Sequence, residues 1–584
     1  MYILGLTLGH TATASLLKDG KIIRCVSEER FARVKNKCGF PKQSIDWILK
    51  DCGLKISDLD KVVITNDAFF SENYGFTQRF LMDYTQSKFF RKLKARLGYR
   101  YPKLFDRYYS NKEKKIISDQ KSNSEDVIER VSKILEIPRE RIYTVGHHKA
   151  HALSTCFNLP QNKESLIFTL DGEGPEGLCA TVSVYNGKDL NTISQTKKTA
   201  SLGYLYAIAT IYLGMKPLEH EFKVMGLAPY AKKDKVDELF EKKFKGLLRI
   251  NDELEFESKF NLVFSDVFFD KELKFVRFDN IAGAVQKLTE EITSEWIKKS
   301  IGKTNINNIA LSGGVFMNVK ANQKIAEMPE VNEIFIMPSC GDEANAIGAC
   351  FYGYKKFCDE KELKFEPKPI TDLYLGPKYD NDYIENLIAE KNLNEKYKIK
   401  KIKEINKEVA KLLARGNIVA RCSGKSEWGA RALGNRSILA NAADKDTIRI
   451  LNETIKDRDF WMPFTPSILD KYEKKYIKNP KKLFAPYMVV TFDSTDLAKK
   501  DIPAAMHPYD QTVRPQIVTK KYNPDYYEII EEYSKLSGFG GILNTSFNLH
   551  GEPNVLNPED ALHTVENSDL KYLVMGNYLF EKKI

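Results

Sequence analysis

Tyr2-Ile-Leu-Gly-Leu-Thr-Leu8 is a mostly apolar run that stops at Gly9-His10. Ala14-Ser-Leu-Leu17 and Lys21-Ile-Ile-Arg-Cys-Val26 follow, with Asp19-Gly20 between them. Asp-Gly flanked by apolar runs predicts a two-residue hairpin turn, because Gly tolerates positive φ there. The spacing of Gln43 to Cys52 predicts a helix, and Lys61 to Asn66 predicts another short strand. Strand, hairpin, helix and strand at the head of a chain open an α/β domain.

Working outward, 584 residues exceed what one hydrophobic core organises, so two or more domains are expected. The apolar fraction of 42% and charged fraction of 29% are those of a globular protein. No stretch reaches the roughly 18 to 20 apolar residues that a membrane helix needs. The N-terminus has no charged leader or cleavage site and reads as a first strand, not a signal peptide. Nine scattered cysteines form no C-x-x-C pair, which argues against a zinc knuckle or a disulfide framework and fits a cytoplasmic location. The net charge of +11 suits anionic ligands, but it is spread along the chain and does not call for nucleic acid. Residues 70–125 interrupt the α/β order and are aromatic and basic. They read as a helical insertion, or as a lid that recognises an acceptor.

The first chemical cluster is Gly146-His147-His148-Lys149-Ala150-His151. His147 and His151 are four apart, so on a helix they share a face and can ligate one metal, while His148 points elsewhere. Asp171, after the apolar strand Leu166 to Leu170, and Asp342, in Gly341-Asp342-Glu343, are the candidate carboxylate partners. Two imidazoles and two carboxylates suit iron, manganese or zinc. Glycine turns form a second cluster: Asp171-Gly-Glu-Gly174 and Ser312-Gly313-Gly314 each follow a strand. Such turns let backbone N–H groups approach a phosphate or ribose.

These stretches carry a resemblance. His10 lies in Gly-His-Thr-Ala-Thr-Ala-Ser, followed by Ser27-Glu-Glu-Arg30-Phe-Ala-Arg33, His147 and His151, Asp171-Gly and Gly203-Tyr204. Lys223-Val-Met-Gly226-Leu-Ala-Pro229, Ser312-Gly-Gly-Val-Phe-Met-Asn318 and Gly341-Asp342 complete the set. Residues 1–360 thereby resemble the TsaD-like domain of the NodU/CmcH family of carbamoyltransferases, which has an actin-like ATPase fold. The resemblance implies that His147, His151, Asp171 and Asp342 hold a metal, iron first, with manganese or zinc as alternatives. It also implies that a carbamoyl adenylate lies against Asp171, Gly203, Gly313, Gly314 and Asn318. Glu343-Ala344-Asn345 departs from the family, which usually has a glycine two residues after the aspartate.

Residues 355–370 are charged and carry two prolines, as a linker does. Beyond it, Ile418 to Cys422 predicts a short strand before Lys425-Ser-Glu-Trp-Gly-Ala-Arg431-Ala-Leu-Gly-Asn-Arg436-Ser437. Lys456-Asp-Arg458, Thr512-Val-Arg514-Pro-Gln516 and Asn544-Thr-Ser546-Phe-Asn548-Leu-His-Gly-Glu-Pro553 follow. The basic groups sit among Gly, Asn, Ser and Pro, too irregular for a charged helix face, and guanidinium forks bind phosphate oxygens in pairs. Residues 371–584 resemble the YrdC-like α/β domain of the same family. Lys425 stands where the family often has Arg, and Met462 replaces another common Arg.

The resemblance implies an ATP-dependent O-carbamoyltransferase with two half-reactions. Lys425, Arg431, Arg436, Lys456, Arg458, Arg514, Asn544, Ser546 and Asn548 would bind carbamoyl phosphate and ATP, with Mg²⁺ accompanying the nucleotide. His10 would deprotonate or orient the hydroxyl of a sugar or natural-product acceptor. The partners expected are these small molecules, with no membrane, no nucleic acid, and a homodimer as the assembly to test. Two other readings stay open: a threonylcarbamoyl-type tRNA-modifying enzyme, and a non-catalytic ATP-binding scaffold.

Overall fold

The computed structural model describes residues 1–65, 97, 124–160 and 163–583. The proposed insertion of residues 70–125 lies outside the described residues except Leu97, Ser124 and Glu125. The chain divides into two units: Met1–Glu28 with Asn36–Ile370, and Glu29–Lys35 with Thr371–Ile584.

The opening hairpin forms as the sequence predicts. β1 (Tyr2–Thr7) pairs antiparallel with β2 (Thr13–Lys18), which pairs with β3 (Lys21–Ser27). Asp19 and Gly20 turn the chain with φ of 45° and 80°, the doubly left-handed turn that matches strand twist. β4 (Lys61–Thr65) and β5 (Ile142–Val145) add in parallel beyond β1. The order is β3-β2-β1-β4-β5.

The same plan then repeats. β6 (Ser165–Leu170), β7 (Leu178–Tyr185) and β8 (Leu190–Lys197) form an antiparallel meander. The small hairpin β9 (Leu248–Ile250) and β10 (Phe256–Ser258) lies outside this sheet. β11 (Asn308–Ser312) pairs parallel with β6, and β12 (Glu333–Ile336) parallel with β11. The second order, β8-β7-β6-β11-β12, is the first one over again. Two such sheets, each a three-stranded meander extended by two parallel strands, define the actin-like ATPase fold.

Each repeat ends in a helix after its last strand: His147–Thr155 after β5, and Asn345–Glu360 after β12. β6 is buried at every residue and β1 at all but Tyr2. That continuous burial marks strands covered on both faces. The two helices pack on each other where Gly348 faces the Ala150 carbonyl, and a Cβ at Gly348 would run into it. Gly5 gives the second helix the same close approach to β1, against Ala346 and Cys350.

The second unit carries an eight-stranded mixed sheet. Its strands are β13 (Tyr397–Lys401), β14 (Val419–Cys422), β15 (Arg436–Ala440), β16 (Thr465–Leu469), β19 (Gln516–Val518), β20 (Gly541–Ser546), β21 (Tyr572–Met575) and β22 (Tyr578–Lys582). β17 (Ile477–Lys478) and β18 (Asp493–Ser494) pair separately. The order is β13-β22-β21-β14-β15-β20-β16-β19, with β14–β21 and β16–β19 parallel. Helices Ile405–Ala414 and Pro524–Ser537 pack together through Val409, Leu413, Ile529 and Tyr533. Among the described residues no helix is long and apolar enough to cross a membrane.

Gly348→Ala places its methyl against backbone that has no room to give. It is expected to destabilise the protein by about 1–3 kcal/mol, read as a lower midpoint in urea unfolding. An unchanged midpoint would mean that the two helices separate freely.

Candidate functional site

In the first unit, both repeats deliver side chains to one place. His147 opens the helix after β5, and His151 lies one turn further on the same face, with the rings 4.7 Å apart. Asp171 follows β6, and Asp342 opens the turn Asp342–Ala344 that leads into the helix after β12. His151 Nε2 lies 3.4 Å from Asp171 Oδ2 and 3.6 Å from Asp342 Oδ1. His147 Nε2 lies 4.0 Å and 3.7 Å from the same two oxygens. One donor atom from each of the four residues falls within 4.8 Å of the others.

The surroundings fit a divalent cation. His151 Nε2 is buried and makes no hydrogen bond, while its Nδ1 lies 3.1 Å from Ser312 Oγ. Asn345 Nδ2 lies 3.3 Å from His147 Nδ1, and Asn345 Oδ1 is buried without a partner. Turning that amide over lets Oδ1 accept from the ring N–H, which satisfies the oxygen and leaves Nε2 a lone-pair donor. Ligating histidines are held in this manner through the other ring nitrogen. Ser312 and Asn345 stood in the sequence motifs without a role; only the fold shows them behind the imidazoles.

Asp171 is fixed by backbone. Gly172 N–H donates to Oδ1 at 2.7 Å and Gly314 N–H to Oδ2 at 3.0 Å. Burial by itself would raise the Asp171 pKa, but His151, His147 and the Gly314 N–H outweigh it and hold the carboxyl below its usual range. Burial likewise disfavours charge on His151, and Asp171 and Asp342 reverse that, so its pKa is raised. Nitrogen and oxygen donors in this set suit iron, manganese or zinc. His148 is different: Nδ1 meets Thr169 Oγ1 at 2.8 Å and Nε2 meets the Leu178 carbonyl at 3.1 Å. Burial and its two histidine neighbours depress its pKa to about 3, so it stays neutral and ties the helix to the sheet.

His10 lies just beyond β1, with Nδ1 3.8 Å from Asp342 Oδ2, longer than a hydrogen bond. Asp342 therefore faces the histidine pair with one oxygen and His10 with the other. The glycine turns serve this cage. A Cβ at Gly203 would come within 2.7 Å of Gly172 N, and Gly313 turns at φ 103° beneath Leu170. Asn318 caps the following helix through Ala321 N–H at 3.0 Å and exchanges hydrogen bonds with Gln286 at 2.8 and 3.0 Å. Both its amide atoms are already engaged.

The basic residues of the second unit sort into three kinds. Arg431, Arg458 and Arg514 form a cluster of like charge. Burial and then Arg431 lower the Arg458 pKa to about 10, and burial, Arg431 and Arg458 push Arg514 well below its usual value. Arg458 donates to Thr545 Oγ1 at 2.7 Å and stacks 4.7 Å over Phe464, and no carboxylate of the described residues pairs with Arg458 or Arg514. Like charges held this close together are stabilised by an anion that offsets them.

Lys456, Ser546 and Asn548 come together, but toward one another. Lys456 Nζ donates to the Ser546 carbonyl and to Asn548 Oδ1 at 2.8 Å, and burial and Arg458 press its pKa down. Asn544 is buried on β20, its amide donating to the Ala432 carbonyl at 3.1 Å and Ser467 Oγ at 3.0 Å. Lys425 is exposed. Arg436 corrects the expectation of a phosphate ligand. Its Nε donates to Leu556 O at 2.8 Å, Nη1 to Asn435 O at 3.0 Å and Nη2 to Pro377 O at 3.1 Å. All three guanidinium nitrogens bond to carbonyls, so this arginine clamps loops. Sequence pattern cannot tell such an arginine from a phosphate ligand.

Residues 2–351 match the carbamoyltransferase N-terminus, and residues 410–582 the carbamoyltransferase C-terminus. The chain belongs to the carbamoyltransferase family, and its activity is carbamoyl transfer. It is 32% identical over 589 residues to an uncharacterized protein of Methanocaldococcus jannaschii, covering 99% of each. It is 29% identical over 587 residues to nodulation protein NolNO of Sinorhizobium fredii, covering 99% of this chain and 80% of that one. Among solved structures it is similar to full-length HypF in its phosphate- and nucleotide-bound form, 14% identical with a TM-score of 0.36, covering 62% of this chain and 47% of HypF. A likeness that distant supports no functional reading.

The arginine cluster makes a prediction of opposite signs. Arg514→Met relieves repulsion, so the ligand-free variant is expected to melt higher than wild type. Pyrophosphate is expected to raise the wild-type midpoint and to leave the variant's unmoved. A pyrophosphate shift of equal size in both would remove Arg514 from any anion site.

Proposed function

We propose that this carbamoyltransferase is an ATP-dependent O-carbamoyltransferase that works through carbamoyl adenylate. The observation that carries the reading is Asp342, which the metal-type cage and His10 share. On this reading one carboxylate lies between an electrophile-activating centre and a proton acceptor. Arg458 and Arg514, which lie together with no carboxylate of the described residues paired to them, support the activation step.

In the second unit, these arginines hold the phosphates of carbamoyl phosphate and ATP and offset the charge of the departing groups. Water cleaves carbamoyl phosphate to carbamate and phosphate. The carbamate oxygen then bonds the α-phosphorus of ATP, and pyrophosphate leaves. The pocket of a YrdC-like unit must exclude further water, because carbamoyl adenylate hydrolyses readily. Mg²⁺ would accompany the nucleotide.

Transfer belongs to the first unit. His147, His151, Asp171 and Asp342 would hold a divalent metal, iron first, which supplies Lewis-acid polarisation of the carbamoyl carbonyl. Asp342 Oδ2, 3.8 Å from His10 Nδ1, would act on the ring by its charge, leaving Nε2 to meet the acceptor. The acceptor hydroxyl gives its proton to His10 Nε2 as its oxygen bonds the carbamoyl carbon. The carbon–oxygen bond to the adenylate phosphate breaks, and AMP leaves. Sugars or other hydroxylated small molecules are the acceptor class.

Two variants separate the half-reactions. His147→Ala is expected to retain carbamoyl-phosphate-dependent ATP–pyrophosphate exchange and to lose transfer to acceptor by at least about 100-fold. Arg458→Ala is expected to lose the exchange. The reverse pattern would show the half-reactions assigned to the wrong units, and no exchange in wild type would remove the adenylate.

A further inference from the structure

The helix that carries His147 and His151 begins at Gly146, which has no side chain to cap the free N–H groups there. A carboxylate from elsewhere takes that place. Glu176 Oε1 accepts from the His147 backbone N–H at 3.0 Å. Glu176 lies in the loop between β6 and β7, five residues after Asp171, so this contact joins the loop of one candidate ligand to the helix of two others.

Room for the carboxylate is built from glycine. A Cβ at Gly146 would come 2.8 Å from Glu176 Oε1. A Cβ at Gly174 would come 3.1 Å from Oε2 and 3.1 Å from His147 Cδ2. The acid is thus packed beside the His147 ring as well as bonded to its backbone. Its second oxygen is buried and accepts no hydrogen bond from the described residues. A carboxylate in that condition brings unneutralised negative charge to the edge of the cage, and such charge favours a cation nearby.

We propose that Glu176 is a positioning residue for the metal centre: it staples the Asp171 loop to the His147 helix and adds negative charge beside the ligands. The inference rests on the metal reading of His147, His151, Asp171 and Asp342. The His148 hydrogen bonds already tie the helix to β6 and β7, and Glu176 adds a tie from the loop that follows Asp171 itself. With it, the cage is held at the reach of one cation before the cation arrives. Nothing in the sequence singles out this acid, since a glutamate in a glycine-rich loop reads as solvated surface.

The test is a titration of metal-free protein with Mn²⁺, followed by the electron paramagnetic resonance signal of the free ion. Glu176→Ala is expected to weaken Mn²⁺ binding by about 10–100-fold, the usual loss when support of a ligand is removed. Glu176→Gln keeps an oxygen for the His147 N–H and loses the charge, so it is expected to bind between Glu176→Ala and wild type. Thermal midpoints of the metal-free variants accompany the titration. A lower midpoint with wild-type Mn²⁺ affinity would overturn the proposal and make Glu176 a helix cap only. If Glu176→Ala does not fold, Glu176→Leu, which removes both the acceptor and the charge while filling the space, replaces it, and wild-type affinity in that variant overturns the proposal; wild-type affinity in Glu176→Gln overturns the charge contribution. Failure of wild type itself to bind Mn²⁺, Fe²⁺ or Zn²⁺ would instead remove the metal reading on which the inference stands.

Discussion

The first unit depends on the close approach of two helices, His147–Thr155 and Asn345–Glu360, at Gly348 and Ala150. Each follows the last strand of one repeat, so each starts at the equivalent end of its own sheet. With a side chain at Gly348 the helices could not come this near. Only at this separation do His147 and His151 on one helix meet Asp342 at the head of the other, with donor atoms 3.6 to 3.7 Å apart. The duplication of the sheet and the chemistry of the site are therefore one constraint seen at two scales.

The rest of the cage follows from that contact. Asp171 closes it from β6, held by two backbone N–H groups, and His10 reaches it from the matching place beyond β1. The glycines after β6 and β11 let main chain approach Asp171, so much of what looked like a phosphate cradle in sequence holds a carboxylate in the fold. The second unit works by the opposite electrostatics. Arg458 and Arg514 lie together with no carboxylate of the described residues paired to them, a setting that a bound anion would stabilise.

Much of this was legible in the chain. The Asp19-Gly20 hairpin, the strand before Asp171 and the i, i+4 histidines follow local rules that need no tertiary knowledge, and they formed as the rules say. Asp171 could be nominated because it follows an apolar strand and opens a glycine turn, and Asp342 because it stands in a Gly-Asp turn. Arg436 and Lys456 could not be sorted the same way. Both lie in basic motifs, yet Arg436 donates to carbonyls on three loops and Lys456 to Ser546 and Asn548. Apart from Asn435, those partners are distant in sequence, and an arginine bonded to carbonyls has the same neighbours in the chain as one that waits for phosphate.

By itself, then, the sequence determined the local elements, the residue types able to ligate a metal or bind phosphate, and the family. Periodicity, turn chemistry and spacing act over a few residues and can be read one segment at a time. The tertiary structure decided which donors share a cage, which arginines are already satisfied, and that Glu176 caps the ligand helix. Those are matters of distance between residues tens to hundreds of positions apart, set by how two repeats of one sheet plan pack through a glycine.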